Sequence, residues 1–472
     1  MKDYRAYSFW LETAADDLTP RPALTGSIDA DVAILGAGFT GLWTAYYLLR
    51  QDPTLRVAVV EREIAGFGAS GRNGGWCTSE FPVSPSMLAT RFGPDAARAV
   101  HLALYDAVDE VGRVAAAEGI DAQYRKGGEL LIARGPHQWP GVQHEYEELV
   151  KLGLADHYQL LDAEQTAQRV RVAGAQGALF APECAVIHPG RLVRGLARAV
   201  ERRGATIYEG TEVTSFAEGR GGQRPSLTTT RGVVRAGTVV LAGEAYLARL
   251  CPLRRQLLPL YSLIVLTEPL SDAQWAEIGW QDDACLASNR YTVDYLSRTA
   301  DGRILFGGRG APYHFGSRID DAYDRHEPIH AMLRRMAIAW FPTLKGVEFT
   351  HAWGGPLGMP RDWMPTMSYD TASGVATARG YTGQGVATSN VSGRVLSSLI
   401  RGTPLSLGEP GATVSPDDLP MVGHRPRPWE PEPLRWLGVR GVQRGLMWTD
   451  DRAERTGRPP SGRGVVERLG AH

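Results

Sequence analysis

The stretch Asp31-Val32-Ala33-Ile34-Leu35-Gly36-Ala37-Gly38-Phe39-Thr40-Gly41 constrains this chain more than any other. Residues 31–35 are a short apolar run of the kind buried in a parallel strand. Glycines follow at 36, 38 and 41, and then Leu42, Ala45, Tyr46 and Leu49 recur at helical spacing. After Pro53 a second apolar run, Arg56-Val57-Ala58-Val59-Val60, ends in Glu61, twenty positions past the last glycine. Strand, glycine turn, helix, strand and acid make a βαβ unit, and each part has a physical task. Gly36 permits the tight turn, Gly38 lets the backbone approach a pyrophosphate, and Gly41 lets the helix pack closely on the sheet. The helix opened by Phe39 and Thr40 presents free N–H groups and its positive dipole end to an anion. Glu61 can accept hydrogen bonds from a ribose diol. The unit predicts a dinucleotide site.

Composition bounds the rest. At roughly 150 residues per domain, 472 residues suggest two or three domains. With 43% hydrophobic and 22% charged residues the chain reads as an ordinary globular protein. A net charge of −1 argues against a nucleic-acid partner. There is no run of 18 apolar residues and no apolar stretch behind the first five residues, so neither a transmembrane segment nor a secretory leader is expected. Cys77, Cys184, Cys251 and Cys285 form no CxxC pair, which argues against a zinc site or a disulfide scaffold and for a reducing, cytoplasmic compartment. No metal is expected.

The segment after the second strand, Gly66-Phe67-Gly68-Ala69-Ser70-Gly71-Arg72-Asn73-Gly74-Gly75, is rich in glycine and small polar residues. It offers backbone N–H groups to something large and flat. Together with Trp353-Gly354-Gly355 and Gly380-Tyr381-Thr382-Gly383-Gln384-Gly385-Val386, in that order along the chain, these blocks resemble the FAD-dependent amine oxidases of the D-amino acid oxidase and glycine oxidase family, nearest the γ-glutamylputrescine oxidase-like branch. The likeness runs from about residue 7 to about residue 405.

The resemblance implies roles. Gly36, Gly38 and Gly41, with Phe39 and Thr40, hold the FAD pyrophosphate, and Glu61 with Arg62 the adenosine ribose. Gly68, Ala69, Ser70, Arg72, Asn73, Gly74 and Gly75 line the pyrophosphate, ribityl chain and flavin ring. Val213 touches adenine through its backbone, and Ala242-Gly243 makes the second pyrophosphate turn. Gly355, Gly380, Tyr381 and Thr382 complete the cofactor set. Because 391–400 reads as helical, Gly383, Gln384, Gly385 and Val386 fall at a helix N-terminus, which stabilises negative charge on a reduced flavin. Some family members attach the flavin through a late Cys or through a His in the loop after the second strand. No Cys follows Cys285 and Arg72 stands at the His position, so non-covalent FAD is expected.

The implied fold is α/β: a Rossmann-like FAD-binding domain of the glutathione reductase type, interleaved with an α+β substrate domain built on an antiparallel sheet. Residues 1–28 form an N-terminal extension; 29–80, 185–250 and 350–405 form the FAD-binding domain. Residues 81–184 and 251–349 form the substrate domain, and 406–472 a Pro-, Arg- and Trp-rich tail, whose final twenty residues read as disordered. Helices are expected at about 94–118, 189–203, 326–340 and 434–448, and strands at 261–268, 290–298 and 304–308. His188 reads as a helix-start residue and Cys77 as a small buried one.

The family's chemistry is hydride removal from the carbon beside a neutral amine nitrogen, imine hydrolysis, and reoxidation of the flavin by O2 to give hydrogen peroxide. Glycine oxidase-like members clamp the substrate carboxylate with an Arg in Gly-Leu-Arg-Pro. Here Gly354-Gly355-Pro356-Leu357-Gly358-Met359-Pro360 puts Leu357 at that place, which favours an amine, a polyamine derivative or a natural-product amine over a free α-amino acid. Candidates facing the substrate are Tyr261, Arg309, Trp353 and Trp363, with Tyr291 and Tyr295 as further aromatic walls. The alternatives are a monooxygenase that needs NAD(P)H, an amine or amino-acid dehydrogenase with another acceptor, and a flavin-bound scaffold without turnover. The oligomeric state is not legible.

Overall fold

The computed structural model describes residues 2–309, 313–407, 413–462 and 464–470. The βαβ unit forms as its pattern predicts. Val32–Leu35 and Val57–Val60 pair in parallel, with Ile34 opposite Val59, and helix Phe39–Gln51 crosses between them. Val57–Val60 is buried along its whole length, as a strand covered on both faces must be. Thr238–Leu241 adds in parallel on the other side of Val32–Leu35, and Val375–Arg379 beyond it. Thr206–Tyr208 closes one edge and the antiparallel strand Thr366–Asp370 the other, giving a six-stranded sheet. The helix Gly385–Arg401 packs directly on Phe39–Gln51. Gly393 makes this approach possible, because a Cβ there would fall 2.6 Å from Trp43 Cβ.

A second sheet has eight strands, in the order Phe349–Met359, Leu258–Thr267, Ile304–Arg309, Asp294–Arg298, Cys285–Ser288, Glu129–Arg134, Ala175–Ala181 and Gln159–Asp162. Every neighbouring pair is antiparallel except Cys285–Ser288 with Glu129–Arg134, the seam where the two chain excursions meet. The strand at its edge, Phe349–Met359, runs through residue 350, so residues 350–359 belong to this sheet. The strand expected at 290–298 starts only at Asp294, because 290–293 is a loop held by the C-terminal segment.

Helices Pro94–Ala117, Pro189–Arg202 and Glu327–Trp340 lie within a residue or two of their expected bounds. The tail is more ordered than its composition suggests. Its helix runs from Leu434 to Thr456, and Val465–Gly470 is helical again. The tail docks on the eight-stranded part. Trp429 Nε1 donates to the Met359 carbonyl at 2.8 Å, and Glu432 accepts from the Tyr313 hydroxyl at 2.7 Å and Gly316 N at 3.0 Å. Among the described residues no helix is long and apolar enough to cross a membrane.

Candidate active site

The carboxyl ends of the parallel strands open into a cleft, the usual ligand position in such sheets. Gly36 has φ +101°, and a Cβ there would lie 2.8 Å from the Ala242 carbonyl oxygen, so the two turns expected to hold pyrophosphate touch through backbone alone. A Cβ on Gly38 would come 3.0 Å from Ser70 Oγ, and Ser70 Oγ accepts from Phe39 N at 2.9 Å. A Cβ on Gly41 would overlap the Gly36 carbonyl, so this glycine sits behind the turn and lets the helix seat on it. Glu61 accepts from Ala37 N and Glu63 N at 3.0 Å each, with burial raising its carboxyl above the ordinary range.

Gly36, Gly38, Phe39, Thr40, Glu61, Arg62, Gly68, Ala69, Ser70, Asn73, Val213, Ala242, Gly243, Tyr381, Gly383, Gly385 and Val386 line this cleft together. Thr40 Oγ1 and the Tyr381 hydroxyl lie 2.9 Å apart, and Tyr381 also donates to Ser392 Oγ at 3.0 Å, tying the two helix N-termini together. Helix Gly385–Arg401 has no side-chain cap hydrogen bond, so its first N–H groups face the cleft unsatisfied by the helix itself. A cradle bare of side chains at two turns, two helix N-termini and a buried carboxylate beside them fits the extended, anionic FAD molecule.

A second cavity, of about 1000 Å³, adjoins this cleft. Ala69, Asn73, Pro356, Leu357, Gly383 and Val386 line both. Arg72, Gly74, Gly355, Thr382 and Gln384, read as cofactor residues, line the second cavity instead. Gly75 backs onto the Ile187 carbonyl, and Gly380 packs on Pro360, so both shape their loops without lining either space. Arg72 is spent on an internal pair: it is buried against Asp324, donates to the Tyr246 hydroxyl at 2.6 Å and stacks 4.7 Å over Phe67. Burial lifts Asp324 to about 6 against the pull of that guanidinium.

Of the residues expected to face substrate, Trp363 lines the second cavity, as do Tyr291 and Tyr295. Trp363 and Thr382 both hold left-handed backbone there, with φ +65° and +56°. Tyr261 and Trp353 do not line it. Tyr261 is buried with its hydroxyl on the Asp320 backbone, and Trp353 donates Nε1 to the Arg72 carbonyl at 2.9 Å. Tyr261 points with Leu263 and Val265 to the face of the sheet away from the cavity, whereas Trp353 stands on the same face as Ile264 but is covered by Phe9 and Trp10. Arg309 ends strand Ile304–Arg309, and its side chain lies outside the described residues.

Sequence reasoning missed Glu244. It follows the Ala242-Gly243 turn with φ +46°, lines the first cleft, and accepts from Gly358 N at 3.1 Å and Gly380 N at 2.8 Å. Burial raises its carboxyl to about 7 against those N–H groups. Its partners lie more than a hundred residues away, so no local pattern marks it. The C-terminal segment was missed as a cavity element too: Asp450, Ala453, Glu454 and residues 459–462 line the second cavity. Asp450 accepts from Tyr291 N at 3.2 Å and from Thr292 N at 2.8 Å.

Residues 31–399 match the DAO family, described as FAD dependent oxidoreductase. The γ-glutamylputrescine oxidoreductase of Escherichia coli K12 is 30% identical over 399 residues, covering 84% of this chain and 89% of that protein. Glycine oxidase of Geobacillus kaustophilus is 24% identical, covering 78% of this chain and 92% of its own length. The crystal structure of that glycine oxidase superposes with a TM-score of 0.64 over 80% of this chain and 96% of its own, at 22% identity. L-proline dehydrogenase from P. horikoshii gives the same TM-score of 0.64 at 19% identity, over 82% of this chain and 95% of its own. Their shared fold agrees with the glycine-lined cleft and the two sheets. The chain belongs to the DAO family of FAD-dependent oxidoreductases.

Proposed function

We propose that this oxidoreductase breaks the C–N bond of an amine: a primary or secondary amine, a polyamine derivative or a natural-product amine. The observation that carries the reading is the shared wall at Leu357. A leucine, 8% exposed, stands between the nucleotide cleft and the cavity where a carboxylate-clamping arginine is expected for an α-amino acid substrate. The names of the curated relatives, one for an acylated diamine and one for an amino acid, bracket this choice.

FAD held by these residues would supply the acceptor for a hydride leaving the carbon beside the neutral amine nitrogen, with O2 as the proposed final electron acceptor, hydrogen peroxide as its product and the amine left as an imine that water hydrolyses. The chain's own part is positioning and electrostatics. Gly36, Gly38, Ser70 and Ala242 cradle the pyrophosphate, and Glu61 the ribose. The N–H groups of Gly383, Gly385 and Val386 would stabilise negative charge on the reduced ring, while that of Gln384 is already bonded to the Tyr381 carbonyl at 2.9 Å. Tyr291, Tyr295 and Trp363 give the amine's carbon chain an aromatic wall and exclude water from it. Arg72 sits where a covalently linked member has its attachment residue and is held in an ion pair, which supports non-covalent FAD. Four unpaired cysteines support work in a reducing cytoplasm.

The test is an anaerobic amine panel without NAD(P)H, scored by bleaching of the flavin, followed by admission of O2 and an assay for peroxide. Bleaching by one or more amines and stoichiometric peroxide are expected. Persistent yellow colour with every amine, together with bleaching by NADPH, would establish a monooxygenase instead. Bleaching without peroxide would assign a dehydrogenase, and no bleaching by either donor a binding protein.

A further inference from the structure

One wall of the second cavity carries charge that amine oxidation at the flavin does not use. Glu80, Glu129, Glu145 and Glu148 all line it. They come from the loop after strand Trp76–Thr78, from strand Glu129–Arg134 and from helix Trp139–Lys151. No Lys or Arg pairs with any of the four among the described residues. The cavity's own arginines are committed elsewhere, Arg72 to Asp324 and Arg290 beside Asp450 and Glu454 at 3.7 Å each. The wall's side-chain partners are few: Gln384 Nε2 donates to Glu80 at 3.0 Å, Thr78 donates to Glu129 at 2.8 Å, and His144 lies 3.1 Å from Glu148.

The crowding has a cost. Burial, then Glu80 and Glu148, raise the Glu145 carboxyl to about 8, and burial with Glu80 pushes Glu129 up as well. An independent sign comes from His101 on helix Pro94–Ala117. It lines the same cavity, is 6% exposed, and neither ring nitrogen has a partner. Burial lowers its ring to about 4, so at neutral pH it offers one N–H and one lone pair to whatever enters. Among the described residues no cluster of metal-ligating side chains is tight enough to hold an ion. The wall therefore suits an organic cation, whose several N–H donors spread over separate acceptors.

We propose that this wall is a subsite for a second cationic nitrogen: the substrate is an α,ω-diamine or a longer polyamine-like chain whose distal ammonium is held by Glu145 and Glu148 against His101. This rests on the amine-oxidation reading. The far nitrogen stays charged on the carboxylate wall while the near one, neutral, reaches the nucleotide cleft past Leu357. A cavity of about 1000 Å³ has room for such a chain, where a short alkylamine would leave most of it empty.

The experiment compares an α,ω-diamine with the alkylamine of equal chain length in the FAD-loaded enzyme. In the wild type, kcat/KM for the diamine exceeds that for the alkylamine by about tenfold or more, the worth of one charge-assisted hydrogen bond. In Glu145→Gln and Glu148→Gln that ratio falls by about the same factor, with flavin content and thermal midpoint reporting the fold. Equal kcat/KM for the two amines in the wild type, or a ratio that both variants leave intact, overturns the subsite and leaves amine oxidation standing. If neither amine reduces the flavin, amine oxidation falls, and calorimetric titration of the same two amines decides the subsite: tighter binding of the diamine, weakened in Glu145→Gln, supports it, and equal affinity overturns it.

Discussion

Glu244 joins three distant segments through one buried carboxylate: its own turn, strand Phe349–Met359 and the turn at Gly380. Nothing in the sequence marks it, since an acid after a glycine reads as an ordinary loop residue. Gly38 is the opposite case, legible from spacing alone because the constraint acts within three residues of the turn. A valine there would put its Cβ 3.0 Å from Ser70 Oγ and its methyl groups in the cleft. Gly38→Val is expected to purify folded with under about a tenth of the wild-type flavin per chain, read by absorbance after denaturation. His101 makes a pH prediction. Its folded-state pKa of about 4 lies below the ordinary value of 6.5, so the fold favours the neutral ring. That contribution is intact above pH 6.5 and is lost as pH falls through about 4, at a slope of about 1.4 kcal/mol per pH unit. Unfolding free energies from urea titrations at pH 7 and pH 5 should diverge by about 2 kcal/mol more in the wild type than in His101→Gln. Parallel behaviour would mean the ring is solvated.

At the scale of elements, the two helices whose N-termini meet the cleft are coupled through Gly393. Gly393→Val overpacks the Trp43 contact and is expected to cost about 1–3 kcal/mol of stability, measured as a shift in denaturant midpoint. A shift below a few tenths would mean that the helices separate freely. The βαβ unit was legible because its strands, turn and helix occupy the contiguous stretch from Val32 to Val60, and periodicity reports such local order. The parallel seam between Cys285–Ser288 and Glu129–Arg134 was not, since the pairing joins strands more than 150 residues apart and neither carries a sign of its neighbour's direction. The tail helix was read eight residues short at its C-terminal end. Its Arg-rich surface hid Asp450 and Ala453, which are buried against the cavity loop.

In the whole molecule the glycine-lined cleft and the central parallel strands were legible in sequence order, while the edge strands of that sheet and the second cavity were not. That cavity is assembled from 69–87, 101–181, 262–295, 355–386 and 450–462, and only tertiary packing brings those segments together. The tail's part in it gives a test at this scale. Asp450 holds the 291–292 loop through two backbone N–H groups, so Asp450→Ala should loosen the cavity rim. KM for the best amine is expected to rise several-fold with kcat within about twofold and flavin content unaltered. Unchanged KM would show that the rim is set without the tail.

The most direct measurement is titration of flavin-stripped protein with FAD, followed by the absorbance spectrum of the complex. One FAD per chain, bound tightly enough to survive gel filtration, is the predicted result for the wild type, and no retained FAD for Gly38→Val. A wild-type chain that stays colourless in excess FAD would contradict the assignment of the glycine-lined cleft.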